Sequence, residues 1–175
     1  MSLKPLGVGI YSAAIKKDKL PDSGYADMIA TTTRLNKVGA KLGANSAVHA
    51  MTDVTGFGLL GHALEVARGS KVSLVVDMKA LPFLREAAQL AQQGCVTGAS
   101  HRNWASYGAS VTLPLHCADW QRHLLTDPQT SGGLLVACEA AEAQGILETI
   151  REEGYAEARV IGRVEAGPPV VRIGV

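Results

Sequence analysis

The stretch Met51-Thr52-Asp53-Val54-Thr55-Gly56-Phe57-Gly58-Leu59-Leu60-Gly61-His62 organises the chain. An apolar run at 47–51 enters it and predicts a short buried strand, and residues 63–67 after it have helical character. The three glycines between them let backbone N–H groups approach an anion, and a helix N-terminus adds partial positive charge. This order of strand, carboxylate, hydroxyl, glycine turn and helix indicates phosphate chemistry.

Asp53 is the candidate metal ligand of this stretch. It stands at the carboxyl end of the predicted strand, where it would hold a divalent cation beside bound phosphates. Two plainer interpretations stay open. Asp53 is also suited to a capping or turn role, and the glycines are also suited to packing a helix against a strand.

The composition predicts one globular domain over residues 1–175. Apolar residues make up 47% and charged residues 19% of the chain, which is typical of a folded rather than a disordered protein. Lys plus Arg is 17 against 16 acidic residues, so the basic excess of a nucleic-acid binder is missing. No nucleic-acid partner is expected.

Neither a membrane nor a secretory pathway is indicated by the sequence. No apolar stretch approaches the ~20 residues that cross a bilayer, and no signal-peptide pattern occurs at the start. Cys95, Cys117 and Cys138 lack the spacing of a metal site. We therefore expect a reduced, cytoplasmic protein.

Periodicity along the chain predicts an α+β layer structure with a mixed sheet. Strands are predicted at 5–15, 47–51, 72–77, 134–138, 158–164 and 170–175, the last two forming a hairpin. Helices are predicted at 25–42, 83–91, 120–125 and 139–153, and from the central motif to Arg68. The first is expected to pack closely along its length, Pro82 to start the helix at 83–91, and Gly69 to stop the helix after the central motif. Residues 95–118 lack a clear period and predict a long loop.

The glycine spacing also fits a dinucleotide-binding fingerprint. Gly56, Gly58 and Gly61 form G-x-G-x-x-G between a strand and a helix, and Asp77 ends the next predicted strand. In this alternative Asp77 binds a ribose. Two features disfavour it: Asp53 would meet an anionic cofactor, and the rest of the chain does not continue as a second mononucleotide half.

Three ordered motifs give the chain a resemblance to a known family. They are residues 53–62 (DVTGFGLLGH), 102–108 (RNWASYG) and 127–135 (DPQTSGGLL), and the opening 4–10 (KPLGVGI) resembles the start of the same domain. Together they are similar to the C-terminal portion of selenophosphate synthetase, or selenide, water dikinase, within the aminoimidazole ribonucleotide synthetase superfamily. The resemblance covers nearly the whole chain and implies that superfamily's α+β second domain, a layered α/β/α domain with helices on both faces of a mixed sheet.

The resemblance implies an enzyme that makes selenophosphate, AMP and phosphate from ATP, selenide and water. It implies Asp53 as a Mg²⁺ ligand and assigns nucleotide-site roles to residues of the three motifs. Those cofactor-site candidates are Thr55, Gly56, Gly58, Asn103 and Asp127. The first three are expected to shape the turn that lets Asp53 face the nucleotide rather than to bind it directly. Asp127 is equally suited to a capping role. Arg102 and Asn103 are suited to contacts with phosphate or with another domain. His62 is interpreted as a structural residue, because no partner for it is evident in the sequence.

The family's amino-terminal half has no counterpart in this sequence. That half holds the reactive cysteine or selenocysteine, a nearby lysine and most of the ATP pocket, so no catalytic nucleophile is assigned here. We expect this chain to be inactive alone, to require its own N-terminal ATP-binding domain, and to form a homodimer in full length. Residues 1–3 are interpreted as an addition from a cloning vector. A non-catalytic scaffold domain is the remaining alternative.

Overall fold

The computed structural model describes residues 1–174. Its helices are α1 (Val8–Ile15), α2 (Asp22–Thr33), α3 (Val38–Gly43), α4 (Gly58–Ser70), α5 (Ala87–Gln92), α6 (Gly98–Tyr107), α7 (Asp119–Thr126) and α8 (Ala143–Glu152). Its strands are β1 (Val48–Asp53), β2 (Ser73–Asp77), β3 (Val111–Thr112), β4 (Leu134–Cys138), β5 (Gly162–Glu165) and β6 (Val171–Gly174). Short 3₁₀ turns occupy Met78–Ala80 and Gly108–Ser110.

The strands form a two-stranded sheet and a four-stranded mixed sheet. In the first, β1 runs antiparallel to β4, and Asp53 lies opposite Leu134. The second has the order β3-β6-β2-β5, with β6 parallel to both of its neighbours and β5 antiparallel to β2. The predicted α+β fold with a mixed sheet is confirmed.

Residues 1–3 connect β4 to the segment that precedes β5. Ser2 forms a bridge to Leu135 of β4 and another to Arg159, and its backbone N–H donates to the Arg159 carbonyl at 3.0 Å. The side chains of Met1 and Leu3 are buried. A vector origin for these residues stays a prediction, but their side chains belong to the core.

Helix α4 packs against the mixed sheet because one of its faces is apolar throughout. Leu60, Ala63, Leu64 and Ala67 recur at helical spacing and are fully or almost fully buried. They join a cluster with β2 and β6, while two further clusters lie under α8 and between α1 and α5. Within residues 1–174, no helix has both the length and the apolar character required to cross a bilayer.

The strongest local patterns agree with the structure. The β-branched run at 72–77 contains β2, the apolar run at 134–138 is β4, and the predicted helix at 120–125 lies within α7. The helix that follows the glycine motif ends at Ser70, two residues beyond Arg68. Lys71 in the left-handed conformation forms its C-cap, where Gly69 was expected to stop the helix.

Two predictions gave the wrong element type. The predicted strand at 5–15 is helix α1, which starts after Gly7 at φ 119° and buries Ile10 and Tyr11. The predicted loop at 95–118 contains α6, because the Thr97 hydroxyl accepts the Ser100 N–H at 3.1 Å and caps a new helix.

The predicted long helix at 25–42 is interrupted. Helix α2 ends at Thr33, Arg34 is extended, and α3 starts at Val38. Only Gly24 of α2 is buried, so this helix is not packed closely along its length as expected. Pro82 does not begin the next helix either, because α5 starts at Ala87.

The predicted C-terminal hairpin is also wrong. Strands β5 and β6 do not pair with each other within the described residues, because β2 lies between them. The strand predicted at 158–164 becomes regular only at Gly162, and the helix predicted at 139–153 starts at Ala143. Strand β1 is partly exposed rather than buried. Val175 lies outside the described residues.

Candidate functional site

The three sequence motifs meet at one end of β1 and β4. The Val54 N–H donates to the Gly133 carbonyl at 2.9 Å, and the Gln129 N–H donates to the Thr55 carbonyl at 3.0 Å. These bonds continue the β1–β4 pairing beyond Asp53 and hold the first motif against the third. The side chain of Val54 is buried below them, while Asp53 itself is exposed.

Gly58 and Gly56 have different functions in the turn. Gly58 has φ +69°, and a Cβ there would lie 2.7 Å from the Thr126 carbonyl carbon. Only glycine permits both this conformation and this approach of two backbones. Gly56 is exposed, and a Cβ there would have no atom within 4 Å.

Asn103 from the middle motif stabilises the glycine turn by hydrogen bonds. Its Nδ2 donates to the Gly56 carbonyl at 2.9 Å and to the Thr126 carbonyl at 3.0 Å. Asn103 is buried, and these bonds give its side-chain amide the partners that a buried polar group requires. The structure gives Asn103 the geometry of a positioning residue, and direct contact with a nucleotide stays a prediction.

Tyr107 completes the contact between α6 and the turn. Its hydroxyl donates to the Phe57 carbonyl at 2.6 Å, and burial raises the pKa of Tyr107 above its usual value. The phenol is therefore a permanent donor at neutral pH.

The exposed tip of the turn has the features of an anion-facing helix start. Phe57 is the N-cap of α4, and no side chain caps the helix there. Asp53, Gly56 and Phe57 are all exposed. Without a side-chain cap, the start of this 13-residue helix carries partial positive charge, which favours phosphate oxygens nearby.

Asp127 is placed differently from the exposed tip. It is buried, and its Oδ2 accepts the Gly9 N–H at 2.9 Å. The neighbouring Gln129 accepts the N–H groups of Gly7 and Val8 through Oε1, each at 3.2 Å. The third motif therefore caps the N-terminus of α1, and Gln129 is a structural residue that the sequence prediction missed.

The environment of Asp127 perturbs its ionisation. Burial raises the pKa of its carboxyl to about 7, against the opposing effect of hydrogen bonds from Ile10, Gln129 and Gly9. Its Oδ1 has no hydrogen-bond partner among residues 1–174. The carboxyl group faces α1, so the capping alternative describes its observed contacts, and cofactor contact by Asp127 stays a prediction.

Thr55 and His62 form a short chain of hydrogen bonds beneath the turn. Thr55 Oγ1 lies 3.1 Å from His62 Nε2, and His62 Nδ1 lies 2.8 Å from a Glu65 carboxylate oxygen. The expectation that His62 has no partner is wrong. Glu65 stands three residues along the same helix, and this spacing was the available signal.

Lys4 is a second structural residue that the sequence prediction missed. It is buried, and its Nζ donates to the carbonyls of Arg34 at 2.6 Å and Ser131 at 2.7 Å. Burial, followed by the charge of Arg34, lowers the pKa of Lys4. Lys4 thereby anchors the third motif, whose Ser131 has φ +50°.

A divalent cation is compatible with Asp53. Asp53 takes part in no ion pair among residues 1–174, and it stands at the exposed end of β1 beside the α4 helix start. No group of three or more His, Cys, Asp or Glu side chains that could hold a metal occurs in that part of the chain. Since Mg²⁺ is commonly held by one or two carboxylates plus phosphate oxygens, Asp53 fits as a single protein ligand.

The strand pairing does not support the dinucleotide alternative. A βαβ unit requires the strands on either side of the glycine turn to lie parallel in one sheet. Here β1 pairs with β4, and β2 lies in the other sheet between β5 and β6. Asp77 Oδ1 accepts the Lys79 N–H at 2.9 Å and caps a 3₁₀ turn.

Sequence comparisons agree with the geometry. A selenide, water dikinase from Rhizobium meliloti (strain 1021) is 56% identical over 170 residues, which cover 97% of this chain and 49% of that protein. A selenide, water dikinase from Pseudomonas straminea is 56% identical over 171 residues, which cover 98% of this chain and 48% of that protein. The chain thus spans about half the length of the curated relatives it matches.

Solved structures share the fold at low sequence identity. Thiamine-monophosphate kinase from Stenotrophomonas maltophilia K279a has a TM-score of 0.62 at 18% identity, covering 97% of this chain and 48% of that one. Hydrogenase maturation protein HypE in complex with ATP has a TM-score of 0.62 at 18% identity, and the match covers 97% of this chain and 45% of the HypE chain. The family model described as AIR synthase related protein, C-terminal domain, matches residues 2–174. The chain therefore belongs to the family of AIR synthase related C-terminal domains.

Proposed function

We propose that this chain is the C-terminal half of a selenide, water dikinase, which converts ATP, selenide and water into selenophosphate, AMP and phosphate. The observation that carries the proposal is the meeting of three separated motifs around one exposed carboxylate, Asp53. The 56% identity to enzymes of that name supports the same substrates.

In this proposal Asp53 contributes one ligand to Mg²⁺, which neutralises triphosphate charge and stabilises charge that develops during phosphoryl transfer. Gly56 and the N-terminus of α4 present backbone N–H groups to the nucleotide phosphates. Gly58 and Asn103 hold that turn in place through the contacts described above, and Asp127 caps the N-terminus of α1. Thr55 orients the turn through its hydrogen bond to His62.

The remaining machinery is assigned to another part of the full-length protein. Cys95 is fully buried, and burial raises the pKa of the thiols of Cys117 and Cys138. A raised thiol pKa lowers the fraction of reactive thiolate, so none of the three is proposed as a nucleophile. An N-terminal ATP-binding domain, a homodimer and a cytoplasmic location complete the proposal.

The test uses the full-length enzyme with ATP, selenide and Mg²⁺. AMP is measured by chromatography and selenophosphate by phosphorus NMR. Asp53→Asn is expected to lower the rate at least ~100-fold, as for loss of a major electrostatic group in an active site. Asp77→Asn is the matched control, because Asp77 is an exposed carboxylate with only a local capping contact.

Two outcomes would contradict the proposal. Unchanged Mg²⁺-dependent AMP formation by Asp53→Asn would remove Asp53 from the site. Full activity after joint substitution of Asp53 and Asp127 would favour a non-catalytic scaffold domain.

A further inference from the structure

A chain of hydrogen bonds links the surface of α4 to the glycine turn. Its outer end is the exposed carboxylate of Glu65, which lies 2.8 Å from His62 Nδ1. His62 is only 6% exposed, and its Nε2 lies 3.1 Å from Thr55 Oγ1. The His62 ring also lies against Phe57, with 5.8 Å between the ring centroids. His62 therefore contacts the residues on both sides of Gly56.

The carboxylate of Glu65 determines which nitrogen of His62 carries a hydrogen. An ionised carboxylate can only accept a hydrogen bond, so Nδ1 must donate to it. In a neutral imidazole, a hydrogen on Nδ1 leaves Nε2 as an acceptor. The partner of Nε2 is the Thr55 hydroxyl, which therefore gives its one hydrogen to His62.

The Thr55 oxygen is left with lone pairs alone. A hydroxyl has one hydrogen and two lone pairs, and His62 uses the hydrogen. Thr55 Oγ1 has no second hydrogen-bond partner within the described residues 1–174. Any further hydrogen bond to this atom must come from a donor. Since phosphate oxygens accept and a water molecule donates, Thr55 is suited to water and not to a phosphate group.

Thr55 and Asp53 lie on the same side of the polypeptide. The pairing of β1 with β4 continues through the Val54 N–H and the Thr55 carbonyl, as described above. Successive side chains of such an extended segment point to opposite faces. Val54 is buried on one face, so Asp53 and Thr55 project from the other, where Asp53 is exposed and Thr55 is half-buried.

We propose that Thr55 accepts a hydrogen bond from a water molecule bound to the cation at Asp53, and that His62 and Glu65 are positioning residues that hold its hydroxyl in this orientation. The inference rests on the proposed function, in which Asp53 is a Mg²⁺ ligand. Mg²⁺ keeps several waters when one or two carboxylates bind it, so donors are available beside Asp53. Hydrogen-bond partners beyond the direct ligands commonly change metal affinity by about 10–100-fold.

Nitrogen-15 NMR of the 175-residue chain tests the orientation without any ligand. Two-bond proton–nitrogen correlations distinguish the two neutral forms of imidazole from each other and from imidazolium. His62→Gln identifies the His62 signals among those of the five histidines. We expect only the Nδ1–H form at pH 8 in the parent, and the Nε2–H form to become populated in Glu65→Ala. Glu152→Ala is the matched control, since it removes an exposed glutamate from α8 and should leave the His62 signals unchanged.

Cation binding by the full-length protein tests the role of the hydroxyl. Mn²⁺ is titrated with a non-hydrolysable ATP analogue present and followed by electron paramagnetic resonance, and binding of the analogue alone is measured without metal. Thr55→Val keeps the shape but removes the hydroxyl, so one Mn²⁺ site should weaken about tenfold while metal-free binding of the analogue stays within about twofold. Thr55→Ser should bind Mn²⁺ as the parent does. Glu65→Ala should weaken the same site at least about threefold, because it reorients the hydroxyl while the contact between Thr55 and His62 remains.

Three results would overturn the inference. The first is imidazolium or the Nε2–H form at His62 in the parent. The second is parent-like Mn²⁺ affinity in Thr55→Val, or a loss confined to metal-free binding of the analogue, which would place Thr55 on a phosphate. The third is an equal loss of Mn²⁺ affinity in Thr55→Val and Thr55→Ser.

Selenophosphate formation by the unmodified full-length protein is measured separately. If the protein makes selenophosphate and Thr55→Val binds Mn²⁺ as the parent does, the inference about Thr55 fails alone. If the NMR and Mn²⁺ results are as expected but no selenophosphate forms, the proposed function fails alone.

Discussion

Replacing Gly58 by alanine tests whether the glycine turn depends on close backbone contact. The left-handed conformation at φ +69° costs about 1–2 kcal/mol for a residue with a Cβ. That Cβ would also lie 2.7 Å from the Thr126 carbonyl carbon and 3.0 Å from the Asp127 carbonyl oxygen. Because these backbone atoms cannot rotate away, overpacking adds about 1–3 kcal/mol to the destabilisation of the folded state. The free energy of unfolding should fall by about 2–5 kcal/mol.

Gly56→Ala is the matched control two residues away. Its Cβ would meet no atom within 4 Å, and Gly56 lies outside the left-handed region. Its unfolding free energy should therefore stay within about 0.5 kcal/mol of the parent, or rise slightly through lower entropy of the unfolded chain.

Urea unfolding of the 175-residue chain, followed by circular dichroism, measures both variants. In thermal unfolding, a loss of about 3 kcal/mol in Gly58→Ala would appear as a fall of about 6–12 °C in Tm for a chain of this size. Equal stability of the two variants, or a greater loss in Gly56→Ala, would refute the described packing of the turn against α7.

Two further predictions concern the residues that hold the motifs together. Asn103→Ala leaves the carbonyls of Gly56 and Thr126 without their donor, so urea unfolding should show a loss of about 2–4 kcal/mol. The exposed neighbour Arg102→Ala should lose less than about 0.5 kcal/mol, and equal losses would argue against the Asn103 contacts. Asp127 has a folded pKa of about 7, raised from 3.8, so its contribution to stability is fully present below pH 3.8 and is lost as the pH rises through about 7. Across that pH range the free energy of unfolding of the parent should fall by about 4 kcal/mol because of this group, whereas Asp127→Asn should show no such fall. Parallel pH profiles of the unfolding free energy for the two proteins would contradict the burial of the carboxyl group.

Local chemistry predicted the elements whose patterns are apolar. The β-branched run at 72–77 and the apolar run at 134–138 are strands because their side chains enter the core on both faces. The sequence did not predict helix α6, because its buried face is not apolar. Its buried positions are Ser100, Asn103 and Tyr107, a helical face that is mostly polar and gives little hydrophobic periodicity.

Long-range contacts decided the remaining elements. Helix α1 starts where Gln129 and Asp127 accept its first N–H groups, and these partners are more than 100 residues away in sequence. The turn at 166–169 signalled a hairpin, but pairing with β2 separates β5 from β6. Neither contact can be read from a local window of sequence.

The sequence predicted individual residues of the candidate site but not how they are arranged in space. The sequence identified Asp53 at a strand end and the glycines after it, and the structure leaves Asp53 exposed there. It assigned Asp53 to a metal site but left Asp127 open between a cofactor contact and a capping role. Burial separates them, since Asp127 is only 1% exposed and faces α1.

Binding of Mn²⁺ to the full-length enzyme tests the role of Asp53 most directly. Electron paramagnetic resonance would follow the titration in the presence of a non-hydrolysable ATP analogue, with Asp53→Asn beside the parent and Asp77→Asn as control. We predict that Asp53→Asn weakens at least one Mn²⁺ site by tenfold or more, while Asp77→Asn binds as the parent does. Superimposable titrations for all three proteins would contradict the assignment of Asp53 as a metal ligand.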